Sequence, residues 1–259
     1  MLSMNSIPFL TLLTALLTLA AVARCPAASF FDLFKRKPAT NETGSATLST
    51  LSQDQITAGL KEALDKGVQQ AIASLGKSGG FLNDLSVKIP MPASLQKVET
   101  TLRALRQDKL ADEFIATMNN AAEQAVPQAA TVLGDSIKQM SIADAKSILT
   151  GTNNAATRYF RRTSETNLHA RFLPIVKTAT EKAGVTSSYK QMVEKAGTAF
   201  GGVAGGLFNK QATDLDDYVT RKALDGLFVK IADQEKQIRE NPVARTTDLL
   251  QKVFGAVNK

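Results

Sequence analysis

From Ile56 the chain repeats a large apolar residue every fourth position, through Leu60, Leu64, Val68 and Ile72. Such spacing places the residues along one face of an α-helix, which must be covered by other apolar surface. The same periodicity returns in most later segments, and no stretch shows a run of period-two alternation. Scraps such as Val87 to Ile89 are the best strand candidates. The spacing therefore predicts an all-α domain, a single multi-helix body of antiparallel-packed helices joined by short loops. At 259 residues and 44% apolar composition the chain is long enough for a real core.

Local signals divide that domain. Ser52-Gln53-Asp54-Gln55 is a capping box opening the first helix, and Gly76 closes it after Leu75. Gly79-Gly80, Pro90 and Pro92 exclude regular helix from 77–92, yet Phe81, Leu82, Leu85, Val87 and Ile89 predict a loop packed onto the core. Helical spacing resumes at Leu95, Val98, Leu102 and Leu105. It restarts after Asp108 through Leu110, Phe114, Ile115 and Met118, until Pro127 ends or kinks it. Val132, Leu133 and Ile137 carry another helix. Ser141-Ile142-Ala143-Asp144 is a second capping box, for a short helix stopping at Gly151.

Asn153 or Asn154 is expected to cap the helix of Tyr159 and Phe160, and a stripe from Leu168 to Ala179 follows, bent at Pro174. A helix at 189–196 runs into the glycine-rich stretch Gly201 to Gly206. Asp214 is expected to cap a long helix through Leu215, Val219, Leu224, Phe228, Ile231 and Ile238, interrupted at Asn241-Pro242. Leu249, Leu250, Val253 and Phe254 end the fold.

The N-terminal region differs. Ile7 to Val22 is an apolar run too short for a membrane span, which needs about 20 apolar residues. Ala21-Val22-Ala23 supplies the small residues that signal peptidase reads, so residues 1–23 are expected to be a removable signal peptide. Residues 24–51, with Lys35-Arg36-Lys37-Pro38 and a Thr/Ser/Asn/Gly stretch, read as a disordered linker before a domain spanning 52–259. Periplasmic or secreted release is the expected fate. Cys25 opens an alternative, a lipid anchor, against which Arg24 stands because lipoprotein processing wants a small residue before the cysteine.

Composition excludes more chemistry than any motif identifies. One cysteine, outside the domain, and one histidine, His169, leave no thiolate enzyme, zinc cluster or multi-histidine metal site. No metal and no cofactor is expected. Asp214, Asp216 and Asp217 are accounted for by a helix start, and Gly201 to Gly206 lacks the Lys-Ser/Thr and preceding strand of a phosphate loop. Net charge is +7, but basic and acidic residues alternate, so no specific nucleic-acid binding is expected.

The most suggestive segment is Arg158-Tyr159-Phe160-Arg161-Arg162-Thr163. Three arginines within one and a half turns cannot all enter a core, and guanidinium groups suit carboxylate or phosphate. Arg158, Tyr159, Arg161, Arg162 and Arg245 are therefore the candidate contacts for an anionic ligand or an envelope partner protein. The competing account has Tyr159 and Phe160 inward and the arginines paired with acids on neighbouring helices.

Several segments together are similar to a bacterial family of exported proteins, domain of unknown function 4197. They include Gly59-Leu60-Lys61-Glu62-Ala63-Leu64, Val87-Lys88-Ile89-Pro90-Met91-Pro92 and Ile148-Leu149-Thr150-Gly151. Tyr159-Phe160-Arg161-Arg162-Thr163, Phe172 to Lys177, Lys222-Ala223-Leu224-Asp225-Gly226-Leu227-Phe228 and Pro242 to Leu250 continue the resemblance in order. Gly201 to Gly206 departs from it. The resemblance implies a helical, secreted or periplasmic bacterial protein, and brings no activity, cofactor or catalytic residue. A non-enzymatic envelope binding or scaffold protein is the expected function. The alternatives are an enzyme using carboxylates and arginine, and a carrier of an apolar ligand between helices.

Overall fold

The capping box at Ser52 forms in full. The serine hydroxyl accepts from the Gln55 N–H at 3.1 Å, and the Gln55 side chain accepts from the Ser52 N–H at 3.0 Å. From it helix α1 runs over Gln53–Leu75 and ends where the Gly76 N–H meets the Ile72 carbonyl. The computed structural model describes residues 52–182 and 208–241, with Gln251 and Val253 beyond, and only the backbone of 208–214. The remaining helices are α2 (Gln96–Ala104), α3 (Asp108–Ala125), α4 (Ala129–Gln139), α5 (Ile142–Thr150), α6 (Ala155–Lys182) and α7 (Phe208–Glu240). Among the described residues there is no strand, so the fold is all-α.

Pro127 lies in a single 3₁₀ turn, Val126–Gln128, that ends α3 and starts α4. Pro174 does not divide α6. It stands on the exposed side, so the carbonyl of Ala170, also exposed, can turn to solvent while the helix continues.

Helices α1, α3, α6 and α7 bury every-fourth stripes, that of α1 running through Gly59, Ala63, Gly67, Ala71 and Leu75. On α6 the stripe is Ala156, Phe160, Ser164, Leu168, Phe172, Val176 and Thr180; on α7 it is Leu215, Val219, Ala223, Leu227, Ile231, Glu235 and Arg239. On α3, Ala111, Ile115, Asn119 and Glu123 follow the same rule. Four residues turn an α-helix by about 400°, so such a stripe winds about 40° per step around the axis. Successive parts of one helix then face different neighbours. Accordingly α6 packs against α3, α4, α5 and α7 in turn, while α1 covers α4, α5 and α7.

The loop between α1 and α2 is packed down as the sequence predicts, with Phe81, Val87, Ile89 and Met91 buried. Leu85 departs from that expectation. It is 89% exposed, on a turn that Asp84 makes by accepting from the N–H and hydroxyl of Ser86. Gly79 has φ +76°, a left-handed conformation that favours glycine.

The loop rests on α7 at Gly226, where a side chain is excluded by contact. A Cβ there would lie 2.6 Å from Cε1 of Phe81 and 3.2 Å from Cβ of Val87. Gly226→Ala is therefore expected to destabilise the fold by about 1–3 kcal/mol through overpacking, despite alanine's better helix propensity. Urea unfolding of the variant reads this directly; a more stable variant would show that the loop gives way freely.

Candidate functional site

The arginine segment lies in the first turns of α6, and the helix rotation separates its members. Arg161 turns toward α7, with its guanidinium 4.5 Å from the Phe228 ring centroid, 3.0 Å from Glu165 Oε1 and 3.3 Å from Asp225 Oδ1. Arg162 lies 5.7 Å from the Tyr159 ring centroid and 3.6 Å from Asp144 Oδ1 on α5. Arg158 donates to the Thr152 hydroxyl at 2.8 Å. Two of the three are thus engaged by acids on neighbouring helices, while 42% of the Arg161 side chain and 70% of Arg162 remain exposed.

Tyr159 is buried and its hydroxyl donates to the Ser136 carbonyl. Asp144 is held below the usual carboxylate range first by the Ser141 hydroxyl, then by the Ser141 N–H, with Arg162 adding to both. Arg245, Cys25 and Gly201 to Gly206 lie outside the described residues.

Two expectations about helix starts are corrected. Helix α7 begins at Phe208, so Asp214, Asp216 and Asp217 lie inside it and not at its cap. Nothing in Phe208 to Thr213 breaks a helix, and the backbone continues through them. Asp217 instead joins α6 to α7. It receives His169 Nε2 at 2.8 Å on one oxygen and Arg221 Nε at 2.7 Å on the other. Asp216 accepts from the Thr180 hydroxyl at 2.8 Å, and its burial raises its pKa despite that bond.

The second correction concerns α6. Asn154 stands at its N-cap position, its carbonyl accepting from the Arg158 N–H, but the side chain that serves the first turn comes from another helix. The N–H groups of Ala156 and Thr157 donate at 3.0 Å to the two oxygens of Glu235, from α7.

Glu235 belongs to a deeply buried ion pair. Only 5% of its side chain and 9% of Arg239 are exposed, and the pair closes at 2.9 Å. Arg239 also donates to the carbonyls of Ile148, at 2.8 Å, and Leu149. The negative charge sits at the positive end of α6 and the positive charge at the negative end of α5. Two residues of α7 thus close both helix ends flanking the turn 151–154.

Asn119 and Glu123 of α3 do the corresponding work for the 77–92 loop. Asn119 accepts from the Ile89 N–H and donates to the Ile89 carbonyl, both at 2.9 Å. Glu123 accepts from the N–H groups of Gly79 and Phe81. None of these four residues was singled out in the sequence. The available signal was the stripe itself, which runs on past Ile231 to 235 and 239, and past Ile115 to 119 and 123.

A further anchor joins the loop to α7. Lys230 Nζ lies 2.6 Å from Asp84 Oδ2. The Asp84 carboxyl is lowered from the usual 3.8 to about 2, chiefly by the bond from Lys230 and then by that from Ser86. A depressed carboxyl pKa gives stability above its unfolded value that is lost as pH falls through the folded one. Asp84→Asn is therefore expected to be less stable than the unaltered chain at pH 6. The difference should vanish as pH falls from about 4 to below 2. Urea midpoints across that range test it, and a gap that persists at the acid end would rule the ion pair out as its source.

Among the described residues no group of three or more His, Cys, Asp or Glu could hold a metal ion. No described helix is long and apolar enough to cross a membrane. A partly open crevice between α1, α5, α6 and α7, beside Glu235 and Arg239, holds about 10 Å³, the room of a single water. A larger, open groove of about 640 Å³ lies outside it, between the 151–154 turn and Ala232, Asp233 and Lys236 of α7.

The family model described as protein of unknown function (DUF4197) matches residues 50–255. No curated protein matches the chain, and no solved structure does.

Proposed function

This chain belongs to the DUF4197 family of proteins of unknown function, and from that premise we propose that it is a non-enzymatic binding or scaffold protein of the bacterial cell envelope. The observation that carries this reading is the use made of the buried charges. Glu123, Glu235 and Arg239 hold backbone ends inside the fold, while Arg161 and Arg162 stand outward on a fixed frame of rings and carboxylates. A guanidinium positioned in this way loses little side-chain freedom on meeting a carboxylate or phosphate of a partner.

Export is the second part of the proposal, supported by the apolar run Ile7 to Val22 and the small residues Ala21 and Ala23. Envelope fractionation with intact-mass measurement tests it. The chain is expected in the periplasmic fraction, beginning after Ala23, and a cytoplasmic chain retaining Met1 would remove the envelope assignment.

The binding role is tested by co-purification of the mature protein from its native envelope, followed by mass spectrometry. A stoichiometric partner or anionic ligand is expected, lost when Arg161 and Arg162 are both replaced by glutamate. Retention of every bound species by that folded variant would defeat the arginine contacts.

A further inference from the structure

We infer that Asp216 and Thr180 form a proton-binding clasp between α7 and α6, which tightens when the Asp216 carboxyl takes up a proton. The number of hydrogens at Thr180 is the key observation. Its hydroxyl lies 2.8 Å from Asp216 Oδ1 and 2.9 Å from the Lys177 carbonyl oxygen. A hydroxyl has one hydrogen to donate, and both neighbours are acceptors when the carboxyl is ionised. One of the two short contacts then holds no hydrogen. Thr180 is 4% exposed, so solvent is poorly placed to make good the deficit. A protonated Asp216 supplies the missing hydrogen. The carboxyl O–H donates to Thr180, the Thr180 O–H donates to the Lys177 carbonyl, and both contacts are filled.

The surroundings keep the carboxyl in place and favour the proton. Asp217, the next residue, lies 2.8 Å from His169 Nε2 and 2.7 Å from Arg221 Nε. Turning α7 to carry Asp216 into solvent would break the contact with His169. Burial raises the Asp216 pKa above its ordinary 3.8, and the charge of Glu181 adds to it, against the Thr180 bond and Lys177. Helix α3 packs on both helices, but its acids are engaged elsewhere: Asp108 and Asp112 by Arg103, Glu113 by Lys109, Glu123 by the loop. Tyr218 donates to the Pro90 carbonyl. Helices α1, α4 and α5 meet α6 and α7 far from the clasp, around Gln234, Thr163 and Arg162. A carboxyl whose folded pKa exceeds its unfolded one adds stability that is complete below the unfolded value. That stability is lost as pH rises through the folded value, the reverse of Asp84.

The clasp is distinct from Arg161 and Arg162, so it stands or falls separately from the arginine contacts. Asp216→Asn tests it, because the amide NH₂ donates to Thr180 at any pH. At pH 7 the variant is expected to have a urea midpoint higher than the unaltered chain by about 0.5 M, the gap narrowing as pH falls to about 4. In a Thr180→Val background the gain from Asp216→Asn is expected to shrink. Hydrogen exchange supplies a local readout. Protection of the Val176 to Thr180 amides, relative to the middle of α1, should rise from pH 7 to pH 5 in the unaltered chain and stay level in Asp216→Asn. A lower midpoint for Asp216→Asn at pH 7, or a gap that does not change with pH, would overturn proton uptake at Asp216. The same gain with and without the Thr180 hydroxyl would overturn the hydrogen-bond chain. Protection that rises equally in the variant would place the proton elsewhere, and the clasp would fall with it.

Discussion

Arg239→Met is expected to lower the stability of the fold by about 3–5 kcal/mol, because it leaves Glu235 as a buried charge without its partner. The usual remedy for a broken buried pair is to make both members apolar, which is often neutral or better. Here it should fail. Glu235 and Arg239 also satisfy the N–H groups of Ala156 and Thr157 and the carbonyls of Ile148 and Leu149. A Glu235→Leu, Arg239→Met double variant removes the stranded charge but strands these buried backbone groups, each worth about 1–3 kcal/mol. Urea unfolding of the single and double variants is the measurement. The double variant is expected to remain well below the unaltered chain, and full recovery would show that the helix ends do not need the pair.

Asn119→Leu is expected to cost about 2–4 kcal/mol, since the apolar side chain leaves both the N–H and the carbonyl of Ile89 buried and unpaired. Asn119 is 0% exposed and Ile89 1%, so solvent cannot replace the lost bonds without opening the loop. A second readout locates the damage. Hydrogen exchange at the Ile89 amide should accelerate in the variant far more than exchange in the middle of α1. Equal acceleration at both sites would mean that the loss is global and that the clamp on the loop is not its source.

Both residues lie where the sequence is hardest to interpret. Asn119, Glu123, Glu235 and Arg239 look like the polar side of an amphipathic helix, because charged residues usually mark solvent. Position along the every-fourth stripe contradicts that appearance, but it does so only for a reader who lets the stripe continue past its last apolar member. The start of α7 was missed for a similar reason. Asp214, Asp216 and Asp217 have the composition of a helix cap, and composition does not reveal that the backbone is already helical six residues earlier. The arginines were legible as a group that must be exposed or paired. Which acids take them depends on helix packing.

Local signals determined the elements themselves. The two capping boxes at Ser52 and Ser141 form as their residues require, because both partners sit three positions apart on one chain segment. Periodicity likewise fixed the all-α class, and the apolar residues of 77–92 announced that the loop packs onto the core. Tertiary structure alone decided how the unpaired ends were closed. Glu123 reaches Phe81 across 42 residues, Glu235 reaches Ala156 across 79, and Arg239 reaches Ile148 across 91. A buried backbone group must find a partner somewhere, but no local rule says from which helix it comes. That choice is made only when α3 packs against the loop and α7 against the turn.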